Sequence, residues 1–319
     1  MKPLPTLRQL RYLSALAEHR HFGRAAETCL VTQSTLSAGL QELEQILGAT
    51  LVERTKRWVM LTPLGVEVER RGARLLREAE DMVEMVEAAS EPLSGTLRLG
   101  VIPTIAPYLL PRLLPPLRLV HPRLKLYLRE DLSARLLDGL NSGQIDAALL
   151  ALPYDADGVE IAEIGDDPFL LACPPGHPLC GKKALCPDDL ASAELLLLEE
   201  GHCLREHALA ACHLPTSRSG ESVRGTSLHT IVQMAASGLG VTLLPKLAVD
   251  AGAAEGTGLV IRALGEGAPA RRLALMWRKS SPRGVEFRQL AAFISDLLSG
   301  ALPETLSEAL PAVSGSVSS

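Results

Sequence analysis

The segment Thr32-Gln33-Ser34-Thr35-Leu36-Ser37-Ala38-Gly39-Leu40-Gln41-Glu42-Leu43-Glu44-Gln45-Ile46-Leu47-Gly48 decides how the N-terminal part of the chain folds. Leu36, Leu40, Leu43 and Ile46-Leu47 recur at helical spacing, Thr32 is placed to cap the helix and Gly48 to stop it. Upstream, Phe22-Gly23-Arg24-Ala25-Ala26-Glu27 starts a short helix that Leu30-Val31 ends, and Leu7, Leu10, Leu13, Leu16 and Ala17 share one face of a helix over 6–20. Downstream, Leu51-Val52-Glu53-Arg54 and Val59-Met60-Leu61-Thr62-Pro63 are short extended runs around the basic turn Thr55-Lys56-Arg57. Helix, turn, helix and a two-stranded wing predict a winged helix-turn-helix over residues 1–62. Thr32, Gln33, Ser34, Thr35 and Ser37 alone would suit any capped surface helix. In this setting they become candidates for contact with double-stranded DNA, because Gln pairs bidentately with adenine and small hydroxyls reach bases or phosphates. Arg54, Lys56 and Arg57 on the wing are candidates for phosphate contacts.

From Thr62-Pro63 a helix is expected over 63–91, with Pro63 at its first position. Val68, Gly72, Leu75, Ala79, Met82, Val86 and Ala89 alternate four and three apart, a heptad seam that predicts dimerisation. Packing against its own domain is the alternative. After the linker Pro92-Leu93-Ser94-Gly95, strands at Thr96–Ile102, Lys125–Glu130 and Asp146–Ala151 alternate with helices at Pro107–Val120 and Ala134–Asn141. That rhythm predicts a parallel sheet with helices on both sides. Further strands are expected at Phe169–Cys173, Leu195–Leu198, Val241–Leu244 and Leu273–Trp277, and helices at Ser227–Ser237 and Phe287–Leu298. Residues 303–319 are rich in Ser, Ala and Pro and are expected to be disordered.

The 319-residue chain carries a net charge of −5, divided as +3 in residues 1–60 and −8 beyond, which fits a nucleic-acid arm on an acidic body. No secretory signal and no long apolar run is seen, so a cytoplasmic protein without a membrane partner is expected. Its six cysteines are then mostly reduced thiols rather than a disulfide framework. Neither a CxxC nor a His/Cys cluster is present, and no metal or cofactor is expected. Cys29 and Cys173 read as core, and Cys180 and Cys186 as loop thiols without an assigned partner. His121, His177, His207, His213 and His229 show no clustering.

Cys203 and Cys212, nine residues apart in Gly201-His202-Cys203-Leu204-Arg205-Glu206-His207-Ala208-Leu209-Ala210-Ala211-Cys212, form the most unusual pair. In a helix they lie roughly 13 Å apart along the axis, whereas a disulfide needs Cα atoms within about 7 Å. Either they are two inert core residues, or bridging them refolds the segment, as a redox switch requires. His202 and Arg205 flank Cys203 and would favour its thiolate.

Leu7-Arg8-Gln9-Leu10-Arg11-Tyr12-Leu13, Phe22-Gly23-Arg24-Ala25-Ala26, Thr32-Gln33-Ser34-Thr35-Leu36-Ser37, Leu43-Glu44 and Leu61-Thr62-Pro63-Leu64-Gly65 resemble LysR-type transcriptional regulators. The match runs from about residue 5 to 300. The fold it implies is α+β overall: a winged helix-turn-helix and linker helix, then a two-lobed α/β effector domain over 95–302, similar to periplasmic binding proteins. Lobe I would take about 95–167 plus 271–302, and lobe II about 168–270. Gly100-Val101-Ile102-Pro103-Thr104, Leu198-Glu199-Glu200-Gly201-His202-Cys203-Leu204-Arg205, Cys212 and Thr226-Ser227-Leu228 further resemble the peroxide-sensing branch of that family.

The resemblance makes Cys203 the peroxide-attacked thiol and Cys212 the thiol that resolves its sulfenic acid to a disulfide. It places Thr104 and Ser133 beside the thiol, Ser133 standing where relatives carry Thr and so lacking the methyl that fixes the rotamer. His202, Arg205 and Arg271 would support the thiolate, with Arg272 possible in place of Arg271. Thr226 and Ser227 cap a helix where other family members bind anionic effectors. The implied partners are operator DNA, hydrogen peroxide, further copies of the chain in a homotetramer built from dimers, RNA polymerase and a cellular thiol reductant. Two rivals stand beside this reading: a LysR-type regulator that senses a small organic anion between its lobes, and a thiol peroxidase using Cys203.

Overall fold

The structure, a computed structural model, describes all residues except 1–2, 55–58, 89–91, 155, 184, 187–188, 191–192, 212–223, 266–269 and 303–319. The side chains of residues 54, 84–88, 211 and 224 are also undescribed. Cys212, Lys56, Arg57 and the 303–319 tail, all subjects of expectations above, therefore lie outside the described residues. The chain divides into two compact units, the first containing residues 1–90 and the second most of the remainder.

In the first unit, α1 (Leu7–His19) starts at Thr6, whose side chain and that of Gln9 form a reciprocal capping box. α2 (Phe22–Thr28) and α3 (Gln33–Leu47) follow, then β1 (Val52–Arg54), β2 (Val59–Leu61) and α4 (Pro63–Ala88). The expected caps of α3 are present: Thr32 accepts from the Thr35 N–H, and Gly48 ends the helix at φ 67°. Leu36, Leu40 and Leu43 are buried against Leu10, Leu13, Leu16, Ala25 and Ala26. A Cβ on Gly39 would lie 2.7 Å from the buried Tyr12 ring, so glycine here sets how closely α3 approaches α1. Glu44 Oε1 accepts from the N–H groups of Leu51 (2.8 Å) and Val52 (3.1 Å), which ties α3 to the antiparallel wing β1–β2.

The heptad of α4 divides between the two readings above. Val68 packs against the helix-turn-helix core, and Gly72 is buried where an added Cβ would meet Leu10 at 3.1 Å. Leu75 and Met82 are exposed. The N-terminal half of the stripe thus packs on its own unit, because a helix face can be buried only once.

The second unit comprises β3 (Gly95–Val101), α5 (Ala106–Val120), β4 (Leu124–Glu130), α6 (Ser133–Ser142), β5 (Ala147–Leu152), β6 (Val159–Cys173) and β7 (Leu197–Leu198). It continues through α7 (Cys203–Ala211), β8 (Arg224–Gly225), α8 (Leu228–Ala236), β9 (Thr242–Pro245), α9 (Lys246–Asp250), β10 (Val260–Ala263), β11 (Ala270–Arg278) and α10 (Gly284–Ser299). β3 pairs in parallel with β4 and β5, as the alternating rhythm predicts. The sheet as a whole is mixed, because β11 runs antiparallel between β5 and β6. β6 pairs with β11 along its first part and with β9 and β10 along its last.

Two apolar cores result. One gathers Leu97, Leu99, Leu149, Leu275, Trp277 and Phe287 around β3, β5, β11 and α10. The other gathers Phe169, Leu171, Leu196, Leu204, Ile231 and Leu244 around the end of β6, with α7, α8 and β9. The two-lobed arrangement expected of the effector domain is present, with β6 running through both cores.

Candidate functional site

On the first unit, the first turn of α3 presents Thr32, Gln33, Ser34 and Thr35 to solvent, with Ser37 half-buried. Thr32 Oγ1 lies 2.9 Å from Ser34 Oγ and 2.8 Å from Thr35 Oγ1, so the hydroxyls form one local network at the positive end of the helix. His21 Nδ1 accepts from the N–H groups of Gly23 and Arg24, which opens the preceding helix in the same manner. Cys29 is partly buried in this core, as expected, and burial raises its thiol pKa.

In the second unit, α7 begins at Cys203, after Gly201 at φ 95°, a backbone conformation suited to glycine. Leu204, Ala208 and Leu209 enter the second core, whereas Cys203 enters the first. The helix therefore straddles the two lobes with the thiol on the lobe I side. Cys203 is 6% exposed. Burial pushes its pKa up; hydrogen bonding with Ser133, the Arg271 charge and the Leu204 N–H oppose this, while Glu206 adds to it. The expectation of a thiol supported by cationic His202 and by Arg205 needs correction. Burial lowers the His202 pKa, disfavouring its cation. Arg205 is buried and donates to the Leu198 carbonyl at 3.4 Å.

Arg271 supplies the nearby positive charge. It is fully buried (0% exposed), and it lies directly opposite Asp167 in the β11–β6 register. Its Nε donates to Asp167 Oδ2 at 2.9 Å, its Nη1 to Thr104 Oγ1 at 2.7 Å, and its Nη2 to the Thr104 carbonyl at 3.0 Å. Asp167 Oδ1 accepts from the Leu247 N–H at 2.8 Å, which fixes the carboxylate. Arg272 faces the other way, half-exposed against Glu163 and Asp166, so the choice between the two arginines falls on Arg271. Ser133 opens α6 and is buried, and Thr104 lies in the β3–α5 connection. Thr104, Ser133, Cys203 and Arg271 thus meet near the carboxyl ends of β3 and β4, where open α/β sheets place their sites. Ser227 caps α8 by accepting from the Thr230 N–H, so its hydroxyl already holds a partner.

Sequence reasoning missed three features. Asp167 left no motif, since only strand register sets it opposite Arg271. His207 is buried and its Nε2 lies 3.1 Å from the Pro153 carbonyl; its i, i+4 spacing from Cys203 was the available signal. Cys180, read as a loop thiol without an assigned partner, is half-buried and joined to Cys173, with Cα atoms 6.7 Å apart. The turn-forming Pro174-Pro175-Gly176 between them returns the chain onto the end of β6. Cys186, the other loop thiol, is exposed and outside any disulfide. No group of His, Cys, Asp and Glu able to hold a metal occurs among the described residues.

Residues 7–66 match the family described as bacterial regulatory helix-turn-helix protein, lysR family, and residues 90–299 match the LysR substrate binding domain. The HTH-type transcriptional regulator EstR of Acinetobacter baylyi is 44% identical over 90% of this chain and 95% of its own. A hydrogen peroxide-inducible genes activator of Pectobacterium carotovorum is 40% identical over 95% of this chain and 99% of its own. A solved full-length OxyR of Pseudomonas aeruginosa, a cysteine-to-aspartate variant, superimposes with a TM-score of 0.77 at 39% identity, covering 92% of this chain and 95% of that one. With both domains matched and relatives of this similarity along nearly the whole length, the chain belongs to the LysR family of transcriptional regulators.

Proposed function

We propose that this chain is a cytoplasmic, DNA-binding transcription regulator that senses hydrogen peroxide through Cys203. The observation that carries the reading is the buried thiol at the head of a helix shared by two lobes, faced by Ser133 and by the Arg271–Thr104–Asp167 cluster. Peroxide is small enough for such a site and has two hydroxyl groups to match its donors and acceptors. Attack by the Cys203 thiolate breaks the O–O bond and leaves a sulfenic acid. The Cys212 thiol then displaces water to form a disulfide. Because α7 packs into both cores, withdrawing Cys203 from the first disturbs the joint between lobes, and a local bond becomes a change in how subunits pair. The working assembly is a homotetramer built from dimers, with exposed Leu75 and Met82 of α4 in the dimer seam. It holds operator DNA through Thr32, Gln33, Ser34, Thr35, Ser37, Arg54, Lys56 and Arg57. It acts on RNA polymerase, is reset by a cellular thiol reductant, and is a regulator rather than an enzyme.

The competing reading is a regulator that answers a small organic anion with both cysteines inert; the similarity to EstR, whose name mentions no peroxide, keeps it in view. Mass spectrometry of non-reducing digests separates the two. Peroxide should create a Cys203–Cys212 linked peptide, distinct from the Cys173–Cys180 linkage present beforehand. A Cys203→Ser protein that still answers peroxide on target DNA would overturn the proposal.

A further inference from the structure

Buried polar side-chain atoms in folded proteins nearly always hold a hydrogen-bond partner, so each exception asks for a reason. Among the described residues of the second unit, Arg112 Nε, Ser133 Oγ and His207 Nδ1 are such exceptions, and the last two belong to residues grouped around α7 and Cys203. Ser133 lies close enough to the Cys203 thiol to favour its ionised form, yet nothing satisfies its hydroxyl with full hydrogen-bond geometry. His207 is 8% exposed and stands one helical turn beyond Cys203. At i, i+4 the two side chains share one face of α7, with Cβ atoms about 5–6 Å apart. Both feel the charges of Arg271 and Glu206. A hydroxyl that leans on the thiol and a nitrogen without a partner therefore flank Cys203.

The tautomer of His207 follows from its partner. The Pro153 carbonyl only accepts, so Nε2 carries the hydrogen and donates it. Nδ1 is then a bare lone pair, buried and without a partner.

We propose that His207 Nδ1 is the hydrogen-bond acceptor and proton carrier for the reaction of peroxide at Cys203. This rests on the reading of Cys203 as the peroxide-attacked thiol. Nδ1 takes the Cys203 thiol proton, directly or through bound peroxide. The thiolate attacks the nearer peroxide oxygen; the S–O bond forms and the O–O bond breaks. The departing hydroxide collects the proton from the imidazolium and leaves as water. Sulfur loses two electrons, peroxide gains them, one peroxide yields one sulfenic acid and one water, and the imidazole returns to its neutral form. Burial and the Arg271 charge on β11 hold His207 toward that neutral form. The Pro153 carbonyl after β5 and Glu206 on the same helix oppose them. Asp167 on β6 is occupied by Arg271. A base kept neutral in this way is also a ready acid once protonated, which suits it to supply the leaving oxygen.

The test measures the rate of Cys203 sulfenic acid formation by trapping with dimedone, in the full-length chain, across pH 5 to 9. His207→Gln keeps an amide N–H to meet the Pro153 carbonyl but has no titrating atom. The wild-type rate should fall on the acid side as Nδ1 gains its proton. His207→Gln should be slower by about 100-fold or more and lose that acid limb. A merely structural defect would lower the rate equally at every pH. Wild-type kinetics and pH profile in His207→Gln would overturn the role of His207 alone; a wild-type Cys203 inert to peroxide would overturn the thiol reading and this proposal with it. Should His207→Gln fail to fold, nitrogen NMR of histidine-labelled Cys203→Ser protein decides. A neutral Nε2–H tautomer whose Nδ1 resonance moves on adding hydrogen peroxide supports the proposal, and an Nδ1–H tautomer or an unmoved resonance overturns it.

Discussion

Arg271 and Arg272 are adjacent in sequence and opposite in environment: strand alternation sends one into the protein and the other to solvent. Inside, a guanidinium must be paired on every side, and Asp167 and Thr104 supply those partners. Thr104→Val removes the acceptor for Nη1 while keeping the shape. It should destabilise the protein by about 1–3 kcal/mol and slow Cys203 oxidation; denaturant titration and dimedone trapping check both effects. His202 and His207 have pKa values lowered from 6.5, chiefly by burial. A lowered histidine pKa means that the unfolded chain binds more protons, so this contribution is present above pH 6.5 and lost as pH falls through the folded value. The denaturation midpoint should therefore drop between pH 7.5 and 5.5. A separate, smaller loss should begin below about pH 4.5, where the unfolded chain starts to protonate Glu67 and Asp189, and end near pH 2, where nearby basic side chains hold these exposed carboxylates in the folded chain.

At the scale of the element, α3 shows how local preference and packing disagree. Helix propensity alone says Gly39→Ala should stabilise, by up to ~1 kcal/mol. The Tyr12 ring 2.7 Å from the new Cβ says otherwise, since Tyr12 is itself buried. Gly39→Ala should lower the melting temperature of the DNA-binding unit and weaken operator binding; a rise in melting temperature would refute the packing argument. Thr32→Ala removes the α3 cap and should cost about 1 kcal/mol, read in the same melting experiment. The caps, the stop at Gly48 and the apolar spacing of α3 were all legible in sequence, because each depends on residues within a few positions. The split of the α4 heptad was not, because which half is covered depends on Leu10 and its neighbours on α1.

At the scale of the whole molecule, the regulatory region is two cores joined by β6 and bridged by α7. If Cys203 oxidation drives the change of state, hydrogen exchange at the α7 amides should accelerate on peroxide treatment and stay unchanged in Cys203→Ser. The Cys173–Cys180 link closes a short loop at the end of β6. In the chain-entropy view a loop of this size contributes about 2–3 kcal/mol. A reductant should therefore lower the melting temperature of wild-type protein but leave Cys180→Ser unmoved.

The amino-acid sequence by itself determined the order of elements, the winged helix-turn-helix, the alternating strands and helices of the regulatory region, and the unusual Cys203 segment. These are carried by periodicity, caps and short motifs, which act over one or two turns of chain. Only the tertiary structure decided that Arg271 rather than Arg272 turns inward, that Asp167 receives it, and that His207 is left with a bare, buried nitrogen near Cys203. Those outcomes depend on strand register and on the closing of one lobe against the other. Residues far apart in the chain share a desolvated space there, and no local pattern encodes which groups will be left to satisfy one another.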